Sequence, residues 1–369
     1  MIFIAGLLLL VGTDTADAKT YYCRYSGNWN SGSTWSTRSG GGKANNYPKA
    51  GDDAIIERGW TVTVTTGSNC TSLTIGNDTG DGTLAFSNAS LTVSGTIQLG
   101  TDSWSSSGAG VINLTNGSSL TAGSLVLGTY SSWSNYEVNL ATGSTLTMNG
   151  PITVEGYDVT WTPNLGTVVF NADNTLPEGI TNFGNLTITA GTTTSSTGIS
   201  VAGNLTINEG ATFVSPSGTL NLAGNFVNNA TFTNNSGTVY LNGSSSQTIG
   251  GTSPSVFNNL ELNNTNGASL SANQTVSGTL TLTSGLLSLG NNDLTLDAAS
   301  QAVAGTPGTG NMIVTNGTGQ LKKVFSGNGS YLFPVGDITG SAEYTPLTLN
   351  FTSGAYSDGF AGVKVTNAK

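Results

Sequence analysis

From Trp60 onward apolar and polar residues alternate in short bursts. Thr61 to Thr65 reads TVTVT, Ser90 to Val93 reads SLTV, and Thr145 to Met148 reads TLTM. Alternation with period 2 marks half-buried strands, and Gly, Asn, Ser and Thr, the residues of turns, bound each burst. No 11-residue window carries apolar residues at i, i+3, i+4 and i+7 without a glycine between them, so the pattern predicts no helix of useful length.

The bursts also repeat. Ser90–Gly100 (SLTVSGTIQLG) returns as Ser119–Gly128 (SLTAGSLVLG) and as Thr145–Gly156 (TLTMNGPITVEG), with Leu91, Leu120 and Leu146 spaced 29 and 26 apart. A related unit follows at Val201–Ile207 (VAGNLTI), Leu222–Val227 (LAGNFV) and Val276–Leu282 (VSGTLTL). Irregular repeats of this length, with a glycine bend between short strands, predict a solenoid in which each coil stacks its strands on those of the next. The prediction is an all-β, right-handed parallel β-helix. Leu91 packs on Leu120 and Val93 on Ala122, while outward threonines form ladders. An antiparallel sandwich would space its strands 8–12 residues apart, and Asn-Gly pairs at Asn116, Asn149, Asn242, Asn266 and Asn316 fit its hairpins. The recurrence of the composite motif favours the solenoid.

Composition divides the chain into four parts. Residues 1–18 hold the apolar run Met1–Gly12 and then Ala16-Asp17-Ala18, the small-x-small rule of a signal-peptide cleavage site. The run is too short to span a bilayer; it lacks the positive n-region, so the expected start lies upstream. Residues 19–58 hold all three arginines and read as an N-terminal cap; 59–318 is the β-helix; 319–369 reads as a separate C-terminal β unit, truncated after Lys369 with no capping element.

Charge then narrows the function. Between Arg58 and Lys322 there is no lysine, arginine or histidine, and twelve acids are scattered through that stretch. The net charge of −10 and the basic-free centre exclude nucleic acid, whose affinity comes mostly from cations. They also exclude docking on anionic membranes. With only 8% charged residues but 8% aromatic ones, the chain reads as folded, with a hydroxyl and amide surface.

Four constellations remain. Cys23 and Cys70 are the only cysteines, and in an oxidising compartment one disulfide would tie the mature N-terminus to the strands. The alternative is two buried thiols. Asp78 and Asp81 share a Gly-rich turn with Asn77, a candidate calcium turn that an Asx turn explains equally well. No other cofactor is expected. The carboxylates of Glu155 and Asp158, or of Asp293 and Asp297, are close in sequence; a hydrolase needs two about 5–9 Å apart, whereas corner carboxylates are usually solvated. A lyase would need a base that the solenoid lacks. Trp104, Trp133 and Trp161, spaced 29 and 28, would form an aromatic strip for stacking on sugar rings if they occupied one corner of successive coils. Otherwise they cover loop glycines.

Several of these segments carry a resemblance. Asn28-Trp29, Thr34-Trp35-Ser36, Pro48, Gly51-Asp52, Ile55-Ile56, Thr61–Val64 and Cys70–Ile75 resemble the opening of bacterial secreted and cell-surface adhesin-like proteins with parallel β-helix repeats, the kind exported as type IX secretion cargo. Gly243–Gly250, Phe257–Leu262, Tyr331–Gly336 and Tyr344–Leu349 resemble later parts of such proteins. The resemblance implies a non-enzymatic stalk or adhesin, secreted or held at the bacterial surface, with extracellular glycans or surface proteins as partners. Two other classes stay open: a fibre subunit self-associating end to end, and a carbohydrate-active enzyme.

Overall fold

The computed structural model describes residues 17–101, 108–128, 134–354 and 359–366. These contain strands and turns and no helix. The strands form a parallel β-solenoid of about 12 coils. The expected β-helix is therefore present, and the antiparallel sandwich is excluded by register: Ser119–Leu127 pairs in parallel with both Ser90–Leu99 and Thr145–Met148.

Each coil contributes one strand to each of three faces. The first face runs from Gly27–Asn28 through Trp60–Val64, Gly82–Phe86, Gly110–Leu114 and Tyr136–Leu140 to Val159–Thr162. It resumes as a new sheet from Asn182–Phe183 to Ala304–Gly305. The second face follows in each coil, and the third lies beyond a glycine corner. At that corner the backbones nearly touch: a Cβ on Gly123 would lie 2.4 Å from the Ser94 carbonyl oxygen, and one on Gly150 would lie 2.3 Å from that of Gly123. Only glycine tolerates such an approach.

The interior is a set of columns. On the second face Leu91, Leu120, Leu146, Val168, Leu186, Leu205 and Phe226 stand in consecutive register, all buried. Each fully buried aliphatic side chain contributes about 1.5–3 kcal/mol, so stacking supplies the stability. Alternation alone dictates this column, because every second residue of each burst is apolar. On the outside, asparagines link coils. Asn185 Oδ1 accepts the Asn204 N–H at 2.9 Å, Asn204 Oδ1 the Asn225 N–H at 2.8 Å, and Asn225 Oδ1 the Thr248 N–H at 2.8 Å.

Coil length is not constant. The offset between stacked partners falls from 28 residues (Thr96 and Ser124) and 26 (Asn113 and Asn139) to 22 (Asn149 and Asn171) and 19 (Asn185 and Asn204).

The ladder extends beyond the 59–318 boundaries expected for it. Thr20–Cys23 already pairs in parallel with Asp53–Ile56, so most of the expected cap is coil. Trp35–Ser36 lies antiparallel on the outer edge of Thr20–Cys23. Beside it the fully buried rings of Trp29 and Trp35 meet edge to face at 5.2 Å. At the other end Leu321–Phe325 stacks in parallel on Leu294–Leu296, and Val335–Asp337 on Ile313–Val314. The shift to basic residues near 319 is thus a change of composition and not of fold. Antiparallel strands then cover these edges: Gly359–Val363 on Leu321–Phe325 and Glu343–Tyr344 on Val335–Asp337. The expected absence of a capping element is corrected accordingly. Residues 1–16 of the expected signal segment lie outside the described residues.

Candidate functional site

Trp104 and Trp133 lie outside the described residues. Trp161 is described, and it is not a display residue. It stands in register with Val138, which stacks on Ile112 and Leu84, so it continues an inward column of the first face. The half-buried indole packs edge to face on Phe183 at 6.4 Å and donates its Nε1–H to the Asn182 carbonyl at 2.8 Å. It bridges the break where the first face ends as one sheet and resumes as another. Equal spacing in sequence does not give equal phase where coil length changes along the rod, and Trp161 falls on the inward phase of Val138.

The Asp78–Asp81 turn is fastened by three side-chain oxygens. Asp78 Oδ1 accepts from Thr101 Oγ1 at 2.7 Å, Asp81 Oδ1 from the Ala109 N–H at 2.8 Å, and Asn77 Oδ1 from the Thr79 N–H at 2.9 Å. The last bond is an Asx turn; the two carboxylate bonds reach the next coil. Beneath the turn lies Glu57, fully buried, which sequence reasoning passed over. Its carboxylate accepts from Ser39 Oγ (2.6 Å), Asn77 Nδ2 (2.8 Å), Thr79 Oγ1 (3.0 Å) and Arg58 Nε (3.3 Å). A buried carboxylate is tolerated only when paired and hydrogen-bonded in this way. Among the described residues no group of three or more Asp, Glu, Cys or His side chains is placed to hold a metal ion.

The expected bridge between Cys23 and Cys70 is absent: both are free, buried thiols. Cys23 follows the Tyr22–Ile55 pair on the third face, whereas Cys70 is paired with Val93 on the second, so they belong to different columns. Cys23 Sγ is held by the Glu57 backbone, accepting its N–H at 3.0 Å and donating to its carbonyl at 3.3 Å. Burial pushes the Cys23 thiol up to about 12, and burial raises Cys70 as well, reinforced by Asp53 and Asp52.

The Asp293–Asp297 pair does not converge. Asp293 and Asp297 flank the strand Leu294–Leu296, which separates their Cα atoms by ~13 Å. Asp293 accepts the Gln320 N–H at 2.9 Å and pairs with Lys322; Asp297 accepts the Ala298 N–H at 2.7 Å. Glu155 and Asp158 sit at the corner leading from Ile152–Val154 to Val159–Thr162, with Asp158 exposed.

One buried cation also escaped the sequence reading. Lys323 points inward from Leu321–Phe325, in register with Leu296, and donates to the carbonyls of Asp297, Ala298 and Ser300. Its ammonium lies 5.3 Å from the Tyr331 ring centroid. Burial lowers its pKa, with Asp297 opposing. The alternation of LKKVF carried the signal, since its second lysine falls on an apolar phase.

The surface offers shallow grooves. One of about 290 Å³ lies beside the first-face break and crosses five coils. Its wall is the in-register column Asn182, Ser200 and Asn221, and its floor includes Ala202 and Ala223. Compared with protein-family models, with curated proteins and with solved structures, the chain matches none.

Proposed function

We propose that this chain is a non-enzymatic structural and adhesive β-solenoid, secreted or carried at the bacterial surface as a stalk or binding rod. The observation that carries the reading is how the polar groups are used. Acids and amides along the rod are used to fasten neighbouring coils to one another, as at Asp81, Asp293, Asn185 and Asn204. Hydrolysis by paired carboxylates needs two of them facing one space, and Asp293 and Asp297, at opposite ends of one strand, do not provide it. A charge-poor surface of hydroxyls and amides suits an extracellular rod, and the resemblance of the Asn28–Ile75 and Tyr331–Leu349 motifs to bacterial surface proteins points the same way. The antiparallel strands over Thr20–Cys23 at one end and over Leu321–Phe325 and Val335–Asp337 at the other weigh against a fibre that grows by end-to-end stacking.

The test is immunogold labelling of intact producing cells with antibody to residues 19–369, alongside fractionation. Label on the surface or in the medium supports the reading; protein confined to the cytoplasm overturns it. New reducing ends or unsaturated products from polysaccharide incubated with the purified chain would overturn its non-enzymatic part.

A further inference from the structure

The groove beside the first-face break has the chemistry of a binding site, and it deepens the adhesive reading on which it rests. We propose that it binds a neutral oligosaccharide lying along the rod axis. The break creates the concavity: Val159–Thr162 ends one sheet, Asn182–Phe183 begins the next, and Trp161 spans the step. Five coils spaced ~4.8 Å apart make a trough ~19 Å long, the reach of several linked sugar rings and more than a single ring fills.

Three observations select the ligand class. In a chain of net charge −10, no ionisable side chain lines the groove. An anionic or cationic ligand would enter without a counter-charge, and a neutral one has no such need. Next, the amides of Asn182 and Asn242 have no protein partner among the described residues, and Asn221, which also lines the groove, donates to Ser200 Oγ at 3.2 Å. Each amide presents two donors and an acceptor side by side, which matches adjacent hydroxyls on a sugar ring. Between them Ala202 and Ala223 leave small apolar patches, where the C–H face of a ring would rest.

Finally, the backbone of the lining strands is already paired in the parallel ladder Asn182–Ser200–Asn221–Tyr240. An extended peptide therefore cannot bind here by adding a strand, the mode that needs an open sheet edge. A neutral, hydroxyl-rich ligand uses the side chains instead.

The experiment is affinity electrophoresis of residues 19–369 in native gels containing laminarin, galactomannan or dextran, with alginate as the anionic comparison. Two variants probe the groove: Ala223→Tyr fills its floor, and Asn221→Leu removes an amide of similar volume. Thr121→Val on the second face is the control, and melting curves establish that all variants fold. Retardation in at least one neutral gel, reduced about tenfold or more by both groove variants and unchanged in the control, is the expected result. Retardation only in alginate, none in any gel, or neutral retardation that folded groove variants retain would overturn the inference. The last pattern would place adhesion elsewhere on the rod, and so separates failure of this groove from failure of the adhesive reading.

Discussion

At the scale of single residues, the thiols give the sharpest test. Reactivity follows the thiolate, and Cys23 with a pKa near 12 is almost wholly protonated at pH 8. Both cysteines should resist an aromatic disulfide reagent in the folded protein and both should react after denaturation without reductant. Two thiols released only by reduction would mean that the bridge forms. The raised pKa values also fix a pH dependence. Groups held protonated by the fold contribute fully below their unfolded pKa of 9 and lose that contribution as pH climbs from 9 toward about 12. Between pH 8 and 10 the loss should be on the order of 1 kcal/mol per thiol, seen as a falling urea midpoint. Cys23→Ala with Cys70→Ala should flatten the slope in that window. The pairing of the cysteines was not legible in the sequence because two cysteines say nothing about columns; that assignment needs the register of Thr20–Cys23 and Ser68–Cys70.

At the scale of the rung, legibility was high on the inside and low at the corners. Leu91, Leu120 and Ala122 fall where alternation puts them, because a one-residue slip would turn the whole apolar set outward. Coil length is set by corners, whose residue count the period does not control. For that reason Trp161 took the phase of Val138 and left the expected strip, and the boundary near 319 hid a ladder that continues. The groove was equally hidden, since Asn182, Ser200 and Asn221 come together only through coils of changing length. A graded mutation series follows from the columns. Leu120→Ala opens a cavity in a closed core and should cost about 2–5 kcal/mol. Asn204→Ala removes one solvent-accessible link to Asn225 and should cost about 0.5–1.5 kcal/mol. Thr121→Val, outward and nearly isosteric, should stay within about 0.5 kcal/mol. Urea unfolding of the three variants measures the order, and equal costs for Leu120→Ala and Thr121→Val would contradict the assignment of inside and outside.

At the scale of the whole molecule, the rise per coil and the treatment of the edges together fix what should be seen in solution. About 12 coils at ~4.8 Å give a rod close to 58 Å long before its ends are counted. Parallel solenoids expose strand edges at their first and last coils, and such edges recruit other chains unless something covers them. Here Trp35–Ser36 lies over Thr20–Cys23 at one end, packed by two buried tryptophans, while Gly359–Val363 and Glu343–Tyr344 lie over the other. Near that second end Lys323 places a charge on the core column, held by three carbonyls, which a further apolar coil could not match. The rod should therefore remain discrete as concentration rises. Negative-stain microscopy and small-angle scattering of residues 19–369 across a hundredfold concentration range should return one length of roughly 60 Å and an unchanging cross-section. Growth into filaments would mean that the covering strands yield to a second copy. The ends, and not the groove, would then be where this chain makes its principal contacts.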